Sequence, residues 1–176
     1  MRAALPLVLA AAAVTCPVVA SAQSSKPVDL ALGWYYEVGD QGNSNYATLR
    51  GWYGSVNWEA RPHLGLALEH EGYWGNYAGS EMNQHAYLAG VTYKIIKGSP
   101  RISPFIQPLG GSTRSSQSGS SIQWEPTFQL SGGADVTLKG PVSLELIPAQ
   151  YVYSHSSTGG ANSYAAAAGL SFTWGQ

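Results

Sequence analysis

Hydrophobic side chains recur at every second position over eight stretches of this chain, and the last stretch is the clearest. Tyr164, Ala166, Ala168, Leu170, Phe172 and Trp174 alternate there with Ala165, Ala167, Gly169, Ser171 and Thr173. Successive side chains of a strand point to opposite faces. The pattern therefore predicts a strand with one apolar face, ending in two aromatics, and one small, weakly polar face. The first stretch, about Val28 to Val38, sets Val28, Leu30, Leu32, Trp34, Tyr36 and Val38 against Asp29, Ala31, Gly33, Tyr35 and Glu37. Two carboxylates on the second face fit a wet interior and not lipid.

The stretches between repeat the theme. From Leu49 to Glu59, Trp52, Gly54, Val56 and Trp58 oppose Gly51, Tyr53, Ser55, Asn57 and Glu59, with Arg50 on the apolar side near the strand end. A long stem there can snorkel to the headgroups. From Leu64 to Glu71, Leu64, Leu66 and Leu68 oppose Gly65, Ala67, Glu69 and Glu71. From His85 to Ile95, Tyr87, Ala89, Val91, Tyr93 and Ile95 oppose Leu88, Gly90, Thr92 and Lys94. The sixth stretch sets Phe128, Leu130, Gly132, Ala134, Val136 and Leu138 against Thr127, Gln129, Ser131, Gly133, Asp135 and Thr137. Two stretches are irregular. In Ile102 to Gly111, Phe105, Gln107 and Leu109 oppose Ile106, Pro108 and Gly110, which leaves its orientation open, and Pro104 and Pro108 each remove a ladder donor, which predicts a bulge or bend. Val142 to Ser154 changes phase near Pro148, from Val142, Leu144 and Leu146 on one face to Tyr151 and Tyr153 on the other, which a bulge explains.

The connections alternate in length. Asp40 to Tyr46, Gly72 to Gln84, Ser112 to Gln123 and His155 to Ser163 are longer and polar, whereas Ala60 to His63, Lys97 to Arg101 and Lys139 to Pro141 are short and contain Pro. Strands of about ten residues, short turns at one end and longer loops at the other suit an all-β, eight-stranded antiparallel up-and-down transmembrane β-barrel. The long connections then lie outside the cell and the N-terminus in the periplasm.

Export agrees with this. Residues 1–22 have a positive start at Arg2, an Ala/Leu/Val-rich stretch from Ala3 to Ala20, and Ala20-Ser21-Ala22 before Gln23 as a small-x-small cleavage site. Pro6, Thr15 and Pro17 interrupt the apolar run, which disfavours a retained helix, and Ala13-Val14-Thr15 before Cys16 is a poor lipoprotein triplet. The domain left after cleavage is 23–176, and it has no cysteine and hence no thiol chemistry. Charged residues are 11% of the chain, against roughly 25% in ordinary soluble domains. Nine Lys/Arg against ten Asp/Glu is too weak and too mixed a balance to point to nucleic acid. Without a spanning helix, a closed sheet is what satisfies every backbone group in lipid.

Leu49-Arg50-Gly51 through Asn57-Trp58, His63-Leu64-Gly65-Leu66, Ser103-Pro104-Phe105-Ile106-Gln107, Gly132-Gly133-Ala134-Asp135-Val136 and Tyr151-Val152-Tyr153 resemble segments of the outer-membrane β-barrel domain family, small OmpA/OmpX-like barrels. The resemblance spans nearly all of residues 23–176 and implies outer-membrane location. It also implies recognition of the last strand by the barrel-assembly machinery, for which Gly169, Leu170, Phe172 and Trp174 match the family pattern; Gly175 and Gln176 after the last aromatic depart from it.

Eight strands leave an interior just wide enough for side chains. Glu37, Glu59, Glu69, Lys94, Asp135 and Glu145 are expected to form a hydrated network of paired charges and hydrogen bonds there. Trp34, Trp52, Trp58, Tyr87, Tyr93, Phe172 and Trp174 read as an interfacial girdle more readily than as a ligand-stacking set. Tyr73, Trp74, Tyr77 and Trp124 fall in or beside two outer loops and are candidates for contact with a partner or with lipopolysaccharide. A structural or surface-interaction role of a monomeric, non-enzymatic barrel follows, with no cofactor and no metal. His63, His70, His85 and His155 lack zinc-site spacing. Two alternatives stand beside it. One is a small passive pore. The other is a lipid A-modifying hydrolase: His155 and Ser157 are spaced as in outer-membrane deacylases, but the acid that pattern expects is missing after Ser157, and only an upstream carboxylate such as Glu145 is on hand.

Overall fold

The computed structural model describes residues 26–40, 46–77, 80–96, 101–117, 122–156 and 159–175. Eight antiparallel strands follow one another around a closed barrel. They are β1 (Val28–Asp40), β2 (Tyr46–Arg61), β3 (Leu64–Tyr77), β4 (Ser80–Lys94), β5 (Ile102–Gln117), β6 (Gln123–Lys139), β7 (Val142–Ser156) and β8 (Gly159–Trp174). The first and last strands close the cylinder, in register from Val28 opposite Trp174 to Asp40 opposite Asn162. The proposed export signal, residues 1–22, lies outside the described residues.

Alternation assigns the two faces. Ala31, Tyr35 and Glu37 of β1 are buried while Leu30, Leu32, Trp34, Tyr36 and Val38 are exposed. The same split runs through β2, β3, β4, β6 and β8, so the apolar residues that the pattern grouped together cover the outer wall. β5, which the pattern left unoriented, points Phe105, Gln107 and Leu109 inward and Ile106 outward. No bulge forms at its prolines. Gly90 faces Leu109 and Tyr93 faces Ile106 in one unbroken register, and the ladder simply omits the pairs between. Pro108, with no N–H to offer, accounts for that gap. The phase change of β7 is a bulge, with the register against β8 shifting between Ile147 and Gln150. Ile147 before it and Gln150 and Val152 after it all face inward.

The longer polar connections are largely strand. Gly72 to Tyr77 and Ser80 to Gln84 extend β3 and β4, Ser112 to Gln117 extends β5, and Gly159 to Ser163 extends β8. Only residues 41–45, 78–79, 118–122 and 157–158 separate the strands at that end. A 15-residue strand such as β4 is about 50 Å long and rises about 40 Å at the roughly 40° tilt of such barrels. An outer-membrane apolar band is about 25 Å tall. The polar segments therefore carry the sheet beyond the band as a rim; composition made them look like loops because water, not lipid, surrounds them. At the opposite end, two-residue turns join β2 to β3 and β6 to β7. Gly140 there has φ 58° and His63 φ 69°, a region in which glycine is free and histidine is tolerated better than most residues. The His63 carbonyl accepts from the Lys94 amide at 2.8 Å, which ties the turn to β4.

A cylinder with no free edge resists dodecyl sulfate until it is heated. Unboiled protein is expected to migrate differently from boiled protein on a gel; one mobility under both conditions would contradict the closed barrel.

Candidate functional site

The lumen is filled by its own side chains. Tyr35 and Tyr53, both 0% exposed, meet edge to face with ring centroids 5.0 Å apart. Tyr53 lies over β1 and β8. A β-carbon on Gly33 would stand 2.2 Å from the Tyr53 ring, and one on Gly169 would stand 2.5 Å from the Tyr53 hydroxyl. On the other side Phe105 covers Gly133, whose β-carbon would come within 2.7 Å of that ring. Interior aromatics thus occupy the space that neighbouring strands vacate by carrying glycine.

Hydrogen bonds complete this packing. The Tyr35 hydroxyl donates to Glu69 Oε1 at 3.0 Å, and Gln129 Nε2 donates to the same oxygen at 3.0 Å. Tyr73 donates to Glu71 Oε2, and Tyr53 donates to Glu145 Oε1 at 2.7 Å. Nearer the termini, Lys94 Nζ lies 2.9 Å from Asp29 Oδ2. Of the expected network of paired charges and hydrogen bonds, this ion pair supplies the first and the tyrosine and glutamine contacts the second. The lumenal carboxylates meet tyrosine hydroxyls and a glutamine amide, donors that need no second buried charge to be desolvated. Of the expected set, Lys94 has Asp29 as its partner, and Glu69 and Glu145 lie in the hydroxyl network.

Where the lumen leaves space, it is small. The cavity bounded by Asp29, Ser55, Asn57, Thr92, Asp135 and Glu145 measures about 10 Å³, room for about one water molecule. Asp29 Oδ1, Asn57 Oδ1 and Asp135 Oδ1 turn to it without a hydrogen-bond partner among the described residues. A hydrated solute does not fit through such a space.

The outer wall carries the aromatics. Trp58, Tyr93, Phe172 and Trp174 are exposed at the end that bears the termini, and Trp34, Tyr36, Trp74, Tyr87, Trp124 and Tyr164 toward the rim. Two of the residues assigned to outer loops are strand residues on the outside: Trp74 sits in β3 and Trp124 in β6. Tyr73, assigned with them, is corrected: it points inward and is buried, because its position in β3 shares the parity of Glu69 and Glu71. The side chain of Tyr77 lies outside the described residues.

His155 ends β7, exposed, with Nδ1 3.4 Å from the Tyr153 hydroxyl, while Ser157 lies outside the described residues. Glu145, the upstream carboxylate named for that role, is ten residues down β7, about 33 Å of strand, and is held in the lumen by Tyr53. The two cannot belong to one triad. What sequence reasoning missed is the pairing of Tyr53 with Gly33 and Gly169; the signal was present, since all three fall on lumenal parity.

The sequence matches no family model and no curated protein. The fold has solved counterparts. The neisserial surface protein A superposes with a TM-score of 0.70 at 15% identity over 82% of this chain and 96% of that one. Ail of Yersinia pestis gives 0.55 at 13% identity, over 84% and 99% of the two chains. The N-terminal β-barrel domain of Pseudomonas aeruginosa OprF gives 0.51 at 16% identity, over 86% and 100%.

The lumenal packing makes opposite demands on two glycines. Gly169→Val is expected to lower stability by about 1–3 kcal/mol through overpacking against Tyr53. Gly110→Ala, on the outer wall with nothing within 4 Å of the added carbon, should stay within about 0.5 kcal/mol of the parent. Urea midpoints of the folded barrel in detergent, followed by tryptophan fluorescence, decide it; equal midpoints for the two variants would refute the packing described. Tyr53→Phe strands the buried Glu145 oxygen and should cost about 1–3 kcal/mol in the same measurement.

Proposed function

We propose that this chain, which has the fold of the small eight-stranded outer-membrane barrels, is a monomeric integral protein of the outer membrane with a structural or surface-contact role and no catalytic one. Its end with both termini faces the periplasm, and its polar rim faces the outside. The observation that carries this reading is the sorting of the two faces: large apolar side chains exposed around the outer wall, with aromatics toward both ends, and the carboxylates, glutamines and tyrosine hydroxyls hydrogen-bonded among apolar residues in the lumen. Such a wall is stable in hydrocarbon, and the lumenal space beside Asp29, Asp135 and Glu145, of about 10 Å³, is too small for a hydrated solute, which weighs against the passive pore. The separation of Glu145 from His155 weighs against the hydrolase. Export through a signal at residues 1–22 brings the chain to the periplasm. The barrel-assembly machinery then reads Leu170, Phe172 and Trp174, which all stand outward on β8, with Gly169 beside them.

Surface contact falls to the rim. Because the rim is sheet, it presents side chains at fixed spacing, and a partner meets a preorganised surface. A structure of Ail holds the heparin analogue sucrose octasulfate, which makes sulfated polysaccharide a reasonable first probe of that surface.

Orientation is testable with single cysteines. Asn76→Cys on the rim should react with a membrane-impermeant maleimide on intact cells, and Lys139→Cys beside the short turn should react only after the cells are opened; both are exposed positions. The reverse pattern would turn the barrel over, and equal labelling of both would remove it from the membrane. In planar bilayers the protein should produce no stepwise conductance; discrete steps would restore the pore.

A further inference from the structure

The outer wall of β2 to β5 is unlike the rest, because two guanidinium groups and an imidazole stand on it at the level where the aromatics gather toward the rim. Alternation places Arg50 on the outside of β2, His85 on the outside of β4 and Arg114 on the outside of β5. Arg50 faces Trp74 across β2–β3, and His85 faces Arg114 across β4–β5, with Trp124 next to Arg114 on β6. Among the described residues neither guanidinium is tied to a carboxylate. The ring atoms His85 Nδ1 and His70 Nε2, shielded from solvent, have no hydrogen-bond partner there either. Cations on a lipid-facing wall are costly unless something anionic meets them.

Directly below this arc, toward the termini, the wall is hollow. Gly54, Val56, Leu68, Tyr87, Ala89 and Gly110 line an open apolar groove of about 490 Å³. Gly54 follows Arg50 by four residues on β2, Gly110 precedes Arg114 by four on β5, and Ala89 follows His85 by four on β4. These outer glycines differ from the lumenal ones. A β-carbon on Gly110 would meet nothing within 4 Å, and one on Gly54 nothing nearer than 4.0 Å. No neighbour in the protein requires them to be glycine. Their effect is to leave space on the hydrocarbon side, four residues, or about 13 Å of strand, below the charges.

We propose that this face is a binding site for a bisphosphorylated glycolipid of the outer leaflet, the lipid A class, with its phosphates on Arg50, His85 and Arg114 and an acyl chain in the groove over Gly54 and Gly110. The proposal deepens the surface-contact role above and rests on the orientation given there. The spacing selects the ligand. Arg50 and Arg114 are three strands apart, about 14 Å, too far for one phospholipid headgroup and suited to two phosphates carried on one sugar backbone. Trp74 and Trp124 flank the site at headgroup depth, as interfacial indoles do. The bidentate fork of each guanidinium matches a phosphate oxygen pair.

The test uses barrel purified from outer membranes in a neutral detergent and titrated with hexa-acylated bisphosphoryl lipid A, with native mass spectrometry as the readout. One lipid A should bind saturably, and phosphatidylglycerol should compete poorly. Arg50→Ala and Arg114→Ala should each weaken binding about fivefold, and the pair about 25-fold. Arg50→Lys with Arg114→Lys should retain more affinity than the alanine pair. Gly110→Leu, which fills the groove and leaves the cations in place, should weaken lipid A binding about tenfold. Unchanged affinity in the arginine pair, or in Gly110→Leu, overturns the site, as does equal competition by phosphatidylglycerol. Each sample is also run with and without boiling. Loss of the mobility shift in the unaltered protein overturns the barrel reading itself, whereas a kept shift with unchanged affinity overturns the lipid site alone.

Discussion

A backbone amide in hydrocarbon has no water to turn to, so every N–H and C=O of a spanning sheet must find a partner within the sheet. That constraint organises this molecule. It is met by the pairing of β1 with β8, which runs without a break from Val28–Trp174 to Asp40–Asn162 and leaves no free edge. Closure then sets the number of residues that face inward, and alternation sets which ones. An outer wall of Leu, Val, Ile and aromatic side chains and an inner lining in which Glu, Gln, Thr, Ser and Tyr mix with Leu, Phe and Ala are two consequences of one geometric rule.

A closed cylinder of eight strands has little interior, and the way it is filled explains residues whose identities otherwise look arbitrary. Gly33 and Gly169 make room for Tyr53, and Gly133 makes room for Phe105. The tyrosines in turn bring hydroxyls to Glu69, Glu71 and Glu145. Glycine, aromatic ring and carboxylate form a unit in which removal of any member leaves a hole, a clash or a stranded oxygen. Glycines on the outside obey a different logic, since Gly54 and Gly110 face open space. The same residue type is a packing requirement within and a surface hollow without.

Irregularities of the ladder carry as much meaning as its regular parts. The bulge between Ile147 and Gln150 lets β7 turn Glu145 and Ile147 inward before Pro148 and Gln150 and Val152 inward after it. The prolines of β5 do not shift the register, because the missing donor of Pro108 is absorbed as a gap between Gly90–Leu109 and Tyr93–Ile106. Beyond the apolar band the ladder persists as a polar rim, so the surface presented outward is built mostly of strand.

The strand count, the face of each regular strand and the turns at the terminal end follow from local alternation and from Pro and Gly positions, because a period of two is a property of the chain itself. Local pattern also exposed the phase change at Pro148. It did not orient β5, where large apolar residues fall on both faces and only neighbours decide which is inside. It placed Tyr73 on an outer loop when parity with Glu69 and Glu71 carries it into the lumen. It did not name the tyrosine hydroxyls that meet the lumenal carboxylates. Those matters depend on which residues meet across strands far apart in the chain, as Tyr53 meets Glu145 and Gln129 meets Glu69. Such meetings are set by the register and the closure of the cylinder, and only the folded barrel decides them.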